Sequence, residues 1–158
     1  MTVAAGFAVP ALIVHTLAAV VWVGGMFFAH QALRPAAAAL DPPLRLPLWS
    51  RVFDRFFAWV IASIILLLVS GYAMVFGIYG GFADLPIYVN LMQGVGIFMM
   101  LLFLHLYFAP WRRLQAAVAR GDWAEGGRQL GKIRSVVTIN LVLGLIVVAI
   151  AASGRYWS

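Results

Sequence analysis

The sequence contains no cysteine, and only 10% of its 158 residues are charged. Soluble domains usually carry about 25% charged residues, and the lack of cysteine excludes disulfide bonds, thiolate metal sites and cysteine-bound clusters. Hydrophobic residues make up 65% of the chain. A water-soluble fold of this length cannot hide so much apolar surface, so we expect lipid to be the solvent of this protein.

Four apolar stretches are long enough to cross a bilayer core of about 30 Å, which needs roughly 20 helical residues. They cover about 9–33, 56–79, 87–111 and 136–152. The sequence therefore predicts an all-α transmembrane four-helix bundle that forms a single domain over residues 1–158.

The loops between the spans contain several helix breakers. Pro35 is expected to end the first span, because proline cannot continue the helical hydrogen-bond ladder. Pro42, Pro43 and Pro47 predict an irregular start to the first loop. The third loop, residues 112–134, is expected to hold a short amphipathic helix and then a turn at Gly121.

The basic residues predict the orientation of the bundle. Ten of the 11 lysines and arginines lie in the first and third loops, and the last is Arg155 in the C-terminal tail. Basic loops stay cytoplasmic, so both termini are expected on the non-cytoplasmic side of a bacterial inner (plasma) membrane. Charges that sit beside apolar spans in this way indicate topology and argue against a nucleic-acid partner.

The spans have no acidic or basic residue in their middles, but the chain places its three histidines within them. Polar groups at membrane depth are costly and usually functional, and neutral imidazole is a ligand for haem iron and for copper. His30 and His105 are expected near the cytoplasmic ends at similar depth, where the pair could flank one haem iron. His15, in the outer third of the first helix, would then serve a second site with Met74 or with an open coordination position.

Further residues fit around a flat macrocycle, because glycine lets a ring approach the backbone and arginine binds carboxylates. The candidates for haem contact are Trp22, Gly24, Gly25, Phe98, Arg112 and Asn140. For copper, methionine supplies a soft sulfur ligand, and the candidates are Met26, Met74, Met92, Met99 and Met100. The alternative is that the histidines only hydrogen-bond across helices and the methionines only fill the core.

Two segments resemble known families. Val14 to Phe28 carries His15, Trp22, Gly24 and Gly25 in the pattern His-(x)6-Trp-x-Gly-Gly. This pattern resembles the first helix of the copper-resistance protein D (CopD) family and of the related HemJ-type protoporphyrinogen IX oxidases. The run from Leu104-His105-Leu106-Tyr107 through Arg112-Arg113-Leu114 to Ala119-Arg120-Gly121-Asp122 is similar to the third helix and basic exit of both groups.

The two resemblances imply different functions. HemJ-type proteins bind haem b and oxidise protoporphyrinogen, and their histidines correspond to His15 and His105. These proteins also carry an important lysine near the start of the third helix, where this chain reads Asn90-Leu91-Met92-Gln93-Gly94. The CopD resemblance implies copper uptake across the inner membrane.

Three functions follow from these observations. The leading hypothesis is a haem-b-binding membrane protein that transfers electrons or acts as an oxidoreductase on a quinone- or porphyrin-like partner. The second is a CopD-like copper transport or copper-binding protein, and the third is a membrane assembly partner without a cofactor. The glycines of the second and third spans and the short loop between them also predict a homodimer.

Overall fold

The computed structural model describes the backbone of residues 3–157 and the side chains of residues 6–154, 156 and 157, so the Arg155 side chain used in the charge count lies outside the described part. The helices are α1 Val3–Phe28, α2 Arg34–Ala38, α3 Pro42–Ile78, α4 Ile87–Leu106, α5 Arg112–Ala119 and α6 Trp123–Ser153. π-helical turns cover Ala29–Leu33 and Tyr107–Trp111, and a 3-10 turn covers Gly154–Tyr156. Four helical rods are long and apolar enough to cross a membrane, which confirms the predicted all-α transmembrane four-helix architecture.

Proline does not end the first rod, so that expectation is wrong. The rod runs through Pro35 to Ala38, because the wide turn Ala29–Leu33 precedes the proline and changes the hydrogen-bond spacing there. The second π-helical turn contains Pro110 and has the same effect between α4 and α5. Local widening therefore accommodates Pro35 and Pro110, whereas Pro10 and Pro47 lie inside α1 and α3 without such a turn.

The first loop is also shorter than predicted. α3 begins at Pro42. In the first turn of a helix the backbone N–H groups have no helical acceptor, so proline removes no hydrogen bond there. The third loop agrees with its prediction. Gly121 has a positive φ of 69°, and the Asp122 side chain accepts a hydrogen bond of 2.9 Å from the backbone N–H of Glu125 to start α6.

The rods pair antiparallel, α1 with α3 and α4 with α6, and α6 also packs against α1 and α3. We call the end with α2, α5 and the start of α6 the basic end, and the opposite end, with the loop 79–86, the terminal end. The main core cluster draws its buried residues from 22–60 and 99–141 only, which places it in the half at the basic end. Phe57 lies at its centre, with the rings of Phe103 and Trp111 at 5.4 and 5.3 Å.

This uneven packing has a physical cause. α3 and α6 extend beyond the predicted spans at the basic end, where water drives the burial of side chains such as Leu46, Leu114 and Ile133. Within lipid the hydrophobic effect does not favour helix association, so small and polar residues dominate there. The half at the terminal end is accordingly thinly packed, with Ala11, Ser70 and Val75 among its few buried side chains.

Candidate functional site

His15 lies on the face of α1 that packs against α3. Its Nδ1 is 3.0 Å from the Ser70 hydroxyl oxygen, and its ring lies over Gly71, where an added Cβ would come 3.2 Å from His15 Cε1. The ring is half-buried at this seam. Gly71 therefore gives the imidazole room, and Ser70 fixes its direction.

The hydrogen bonds of Ser70 assign the tautomer of His15. The serine hydroxyl donates to the backbone carbonyl of Leu66 at 2.5 Å, so its oxygen is left to accept from the imidazole. His15 then carries its proton on Nδ1 and a lone pair on Nε2. A neutral imidazole with one nitrogen anchored and the other unprotonated is the form that binds a metal ion.

Met74 lies one helical turn beyond Ser70 on α3, and residues four apart share a helix face. Two contacts between α1 and α3 lie on either side of Met74, because Phe7 packs at Gly77 and His15 packs at Gly71. Side chains on a helix lean toward its N-terminus, which directs His15 toward the level of Met74. Met74 is half-buried, so an imidazole nitrogen and a thioether sulfur lie about one helical turn apart in the thinly packed half.

His30 and His105 have separate surroundings. His30 lies in the first π-helical turn, with Nε2 3.4 Å from Arg34 Nη1 and Nδ1 buried without a partner in the described part of the chain. His105 is exposed and lines a groove of about 440 Å³ with Arg113, Gln129 and Lys132. Within the described residues no three His, Cys, Asp or Glu side chains cluster as a metal site.

The depths of these two histidines also differ. Trp22 of α1 and Phe103 of α4 pack with ring centroids 6.4 Å apart, which sets the register of these two parallel helices. His105 then lies level with Gly24, and His30 lies six residues, roughly 9 Å, nearer the basic end. The two histidines therefore differ in depth by roughly 9 Å rather than lying at similar depth, and no contact joins their side chains in the described structure.

The residues predicted to contact a porphyrin take other positions. Trp22 is buried edge-on against Phe103, and the space above Gly25 is filled by the ring of Phe56. Gly24 and Phe98 lie on the exposed surface of the bundle. Their surroundings offer aromatic packing or lipid contact rather than a common planar cleft.

Arg112 is exposed at the start of α5, with its guanidinium carbon 5.9 Å from the centroid of the Tyr107 ring. This is within cation–π range. The tyrosine ring therefore supplies Arg112 with a neighbour in the described structure, on the outside of the basic end.

Asn140 is a buried polar group at the junction of α1, α4 and α6. Its Nδ2 donates to the backbone carbonyl of Met99 at 3.2 Å, while its Oδ1 is buried without a partner within the described chain. One turn further on, a Cβ at Gly144 would come 2.8 Å from Val23 Cγ2 and 3.2 Å from Met99 Cε. The unpaired Asn140 Oδ1 therefore lies where the tight core meets the thinly packed half. Burying this acceptor without a partner costs free energy.

Ser70 is a partner of His15 that was not selected as a site residue from the sequence alone. It stands 55 positions from His15, and only the register of the α1–α3 pair brings the two together. The available signal was the Ser70-Gly71 pair, in which a small hydroxyl residue and a glycine face a histidine across an antiparallel helix seam.

Comparison with known proteins identifies the family. The family model for Copper resistance protein D (CopD) matches residues 50–153, a region that includes Met74, His105 and Asn140 and leaves out His15 and His30. No curated protein and no solved structure gives a significant match. The match supports the copper hypothesis rather than the haem hypothesis, and it does not extend to the HemJ-type resemblance. Four membrane-length apolar helices and a family match over most of its length together show that this chain is a multi-pass membrane protein of the CopD family.

Proposed function

We propose that this protein binds Cu(I) as cargo in the terminal half of its bundle and passes it into or across a bacterial inner membrane. The observation that carries the proposal is the anchored imidazole of His15, whose Nδ1 faces Ser70 and whose Nε2 is left with a free lone pair, with Met74 one helical turn beyond Ser70 on α3. CopD membership supplies the reason to consider copper first.

The donor set suits Cu(I) better than harder ions. Imidazole nitrogen and thioether sulfur are soft or borderline ligands, while calcium, magnesium and manganese select carboxylate and carbonyl oxygens. The chain has five acidic residues, Asp41, Asp54, Asp84, Asp122 and Glu125, and all lie outside the middles of the predicted spans. Cysteine thiolates would bind Cu(I) more tightly, and the chain has none. A histidine–methionine site therefore suits a cargo that must be released again.

The packing of the bundle supports entry from the terminal end. The half around His15 and Met74 has few buried side chains, whereas the Phe57–Phe103–Trp111 rings fill the half at the basic end. Copper that reaches Asn140 would meet this aromatic core. Passage to the cytoplasmic side would therefore require the α1–α3 and α4–α6 pairs to move apart there.

The haem-binding oxidoreductase hypothesis, with its quinone- or porphyrin-like partner, is the alternative to test in the same experiment. Its proposed iron ligands, His30 and His105, face different neighbours. An ultraviolet–visible spectrum of the purified protein distinguishes the two, because a haem protein has a Soret band and a Cu(I) protein has none.

The copper proposal is tested by competition titration of purified protein with a Cu(I)-binding dye. Wild type should bind one Cu(I) per chain, and His15→Ala and Met74→Leu should each weaken binding by about tenfold or more. His105→Ala is the matched control, since it removes a histidine on the other helix pair, and it should bind like wild type. Unchanged affinity in His15→Ala, or a Soret band that His105→Ala abolishes, would overturn the proposal.

A further inference from the structure

Three arginines from three different helices converge at the basic end. Arg34 belongs to α2, Arg45 to α3 and Arg134 to α6, and the positive charges of Arg34 and Arg45 both act on Arg134. Arg45 and Arg134 are half-buried. Like charges brought together in a partly desolvated place repel one another, and this repulsion needs compensation.

The described residues supply no anion to this cluster. Among the residues that the structure describes, no carboxylate lies within 4.0 Å of the three guanidinium groups, and the ion pair between Arg128 and Glu125 is formed elsewhere on α6. The Nε atoms of Arg45 and Arg134 are buried and have no hydrogen-bond partner in the described structure. Two buried charged donors without acceptors indicate a ligand that brings its own negative oxygens.

A groove of about 540 Å³ opens beside the cluster. It is lined by Arg34, Gly131, Arg134, Ser135, Thr138 and Ile139. The space above Gly131 is open, with nothing within 4 Å of an added Cβ. Ile139 is 49% exposed at the deeper end of the groove, so the lining changes from cationic to apolar toward the membrane.

We propose that this groove binds the phosphate group of an anionic phospholipid from the leaflet at the basic end. Arg134 lies just before residue 136, where the fourth span is predicted to enter the bilayer, and Arg34 lies just after residue 33, where the first span is predicted to leave it, so both are at headgroup depth. Guanidinium groups bind phosphate oxygens bidentately, and basic pockets between transmembrane helices are suited to anionic headgroups. Ile139 would contact the acyl chain, which inorganic phosphate lacks.

Native mass spectrometry of the delipidated, full-length protein tests the proposal with phosphatidylglycerol, phosphatidylcholine and inorganic phosphate as probes. Wild type should retain phosphatidylglycerol, and Arg134→Gln and Arg45→Gln should each bind it roughly fivefold more weakly or worse. Lys132→Gln is the matched control. It removes one positive charge from the same helix but in the groove that contains His105, and it should bind like wild type.

Three results would overturn the proposal. Arg134→Gln and Arg45→Gln could retain phosphatidylglycerol as well as Lys132→Gln does, phosphatidylcholine could bind wild type equally tightly, or inorganic phosphate could displace the lipid completely at equal concentration. The last result would assign the cluster to a free phosphate rather than to a lipid. If Arg134→Gln does not fold, Arg34→Gln replaces it, because Arg34 is exposed and its loss leaves no core defect.

Discussion

At the scale of single residues, a hydrogen bond decides which nitrogen of His15 is available. Ser70 uses its only proton on the Leu66 carbonyl, which obliges the imidazole to donate from Nδ1. Outer partners of this kind fix the tautomer and ring orientation of a metal ligand, and their loss usually costs about 10–100-fold in metal affinity. Ser70 is therefore a positioning residue for the proposed copper site.

Ser70→Ala should weaken Cu(I) binding by about tenfold while the protein stays folded. The measurement is the dye competition titration, with the circular dichroism spectrum as a check on folding. Ser63→Ala is the matched control, because Ser63 is also a buried serine of α3 and lies two helical turns before Ser70. Equal Cu(I) affinities for the two variants would show that the serine does not orient the ligand.

The sequence selected His15 and Met74 but not the contact that unites their helices. A histidine at membrane depth is visible in one chain segment, whereas its partner depends on how α1 and α3 align. Pro35 shows the same limit, because the π-helical turn that accommodates it depends on the local backbone and cannot be predicted from the hydropathy. Hydropathy predicted the four rods well because the lipid-exposed length is a property of each segment alone.

At the scale of helices, the basic end shows why helix length exceeds span length. α6 starts at Trp123, well before the predicted span at 136, because Asp122 caps it in water and its buried residues Leu130 and Ile133 join the core. Apolar runs mark where lipid begins, while caps mark where a helix begins. The same difference explains why α3 starts at Pro42 rather than near residue 56.

Gly144 holds α6 close to the other helices, and this predicts a sharp steric effect. Gly144→Ala should lower the free energy of unfolding by about 1–3 kcal/mol, because the added methyl meets Val23 and Met99 in a packed junction. Gly127→Ala on the same helix has open space around it, and it should raise stability by about 1 kcal/mol through helix propensity.

Denaturant unfolding in detergent micelles measures both glycine variants against wild type. A destabilised Gly127→Ala with an unaffected Gly144→Ala would contradict the packing described for this junction.

The predicted homodimer through the second and third spans stays a prediction. Gly94 and Gly96 of α4 have nothing within 4 Å of an added Cβ in the single chain.

At the scale of the whole molecule, the bundle is closed at the basic end and thinly packed at the terminal end. The closed end is where ten of the 11 basic residues lie, so charge and packing distinguish the same two ends. The orientation predicted from charge would then place the open half, with His15, on the non-cytoplasmic side. Copper arriving from outside the cell would meet the histidine–methionine pair first.

Cysteine labelling tests this orientation without background, because the chain has no cysteine of its own. A membrane-impermeant maleimide should label Ala83→Cys, in the exposed loop between α3 and α4, on intact cells. Ala119→Cys, exposed at the end of α5, should label only after the membrane is permeabilised. The reverse pattern would place both termini in the cytoplasm and the proposed copper entrance with them.

X-ray absorption spectroscopy at the copper edge tests the central claim most directly, because it reports the atoms bound to the metal. Wild type loaded with one equivalent of Cu(I) should show scattering from an imidazole and from a sulfur. The sulfur contribution should disappear in Met74→Leu and the imidazole contribution in His15→Ala, while His105→Ala should match wild type. An imidazole signal that persists in His15→Ala, or that is lost in His105→Ala, would contradict the account.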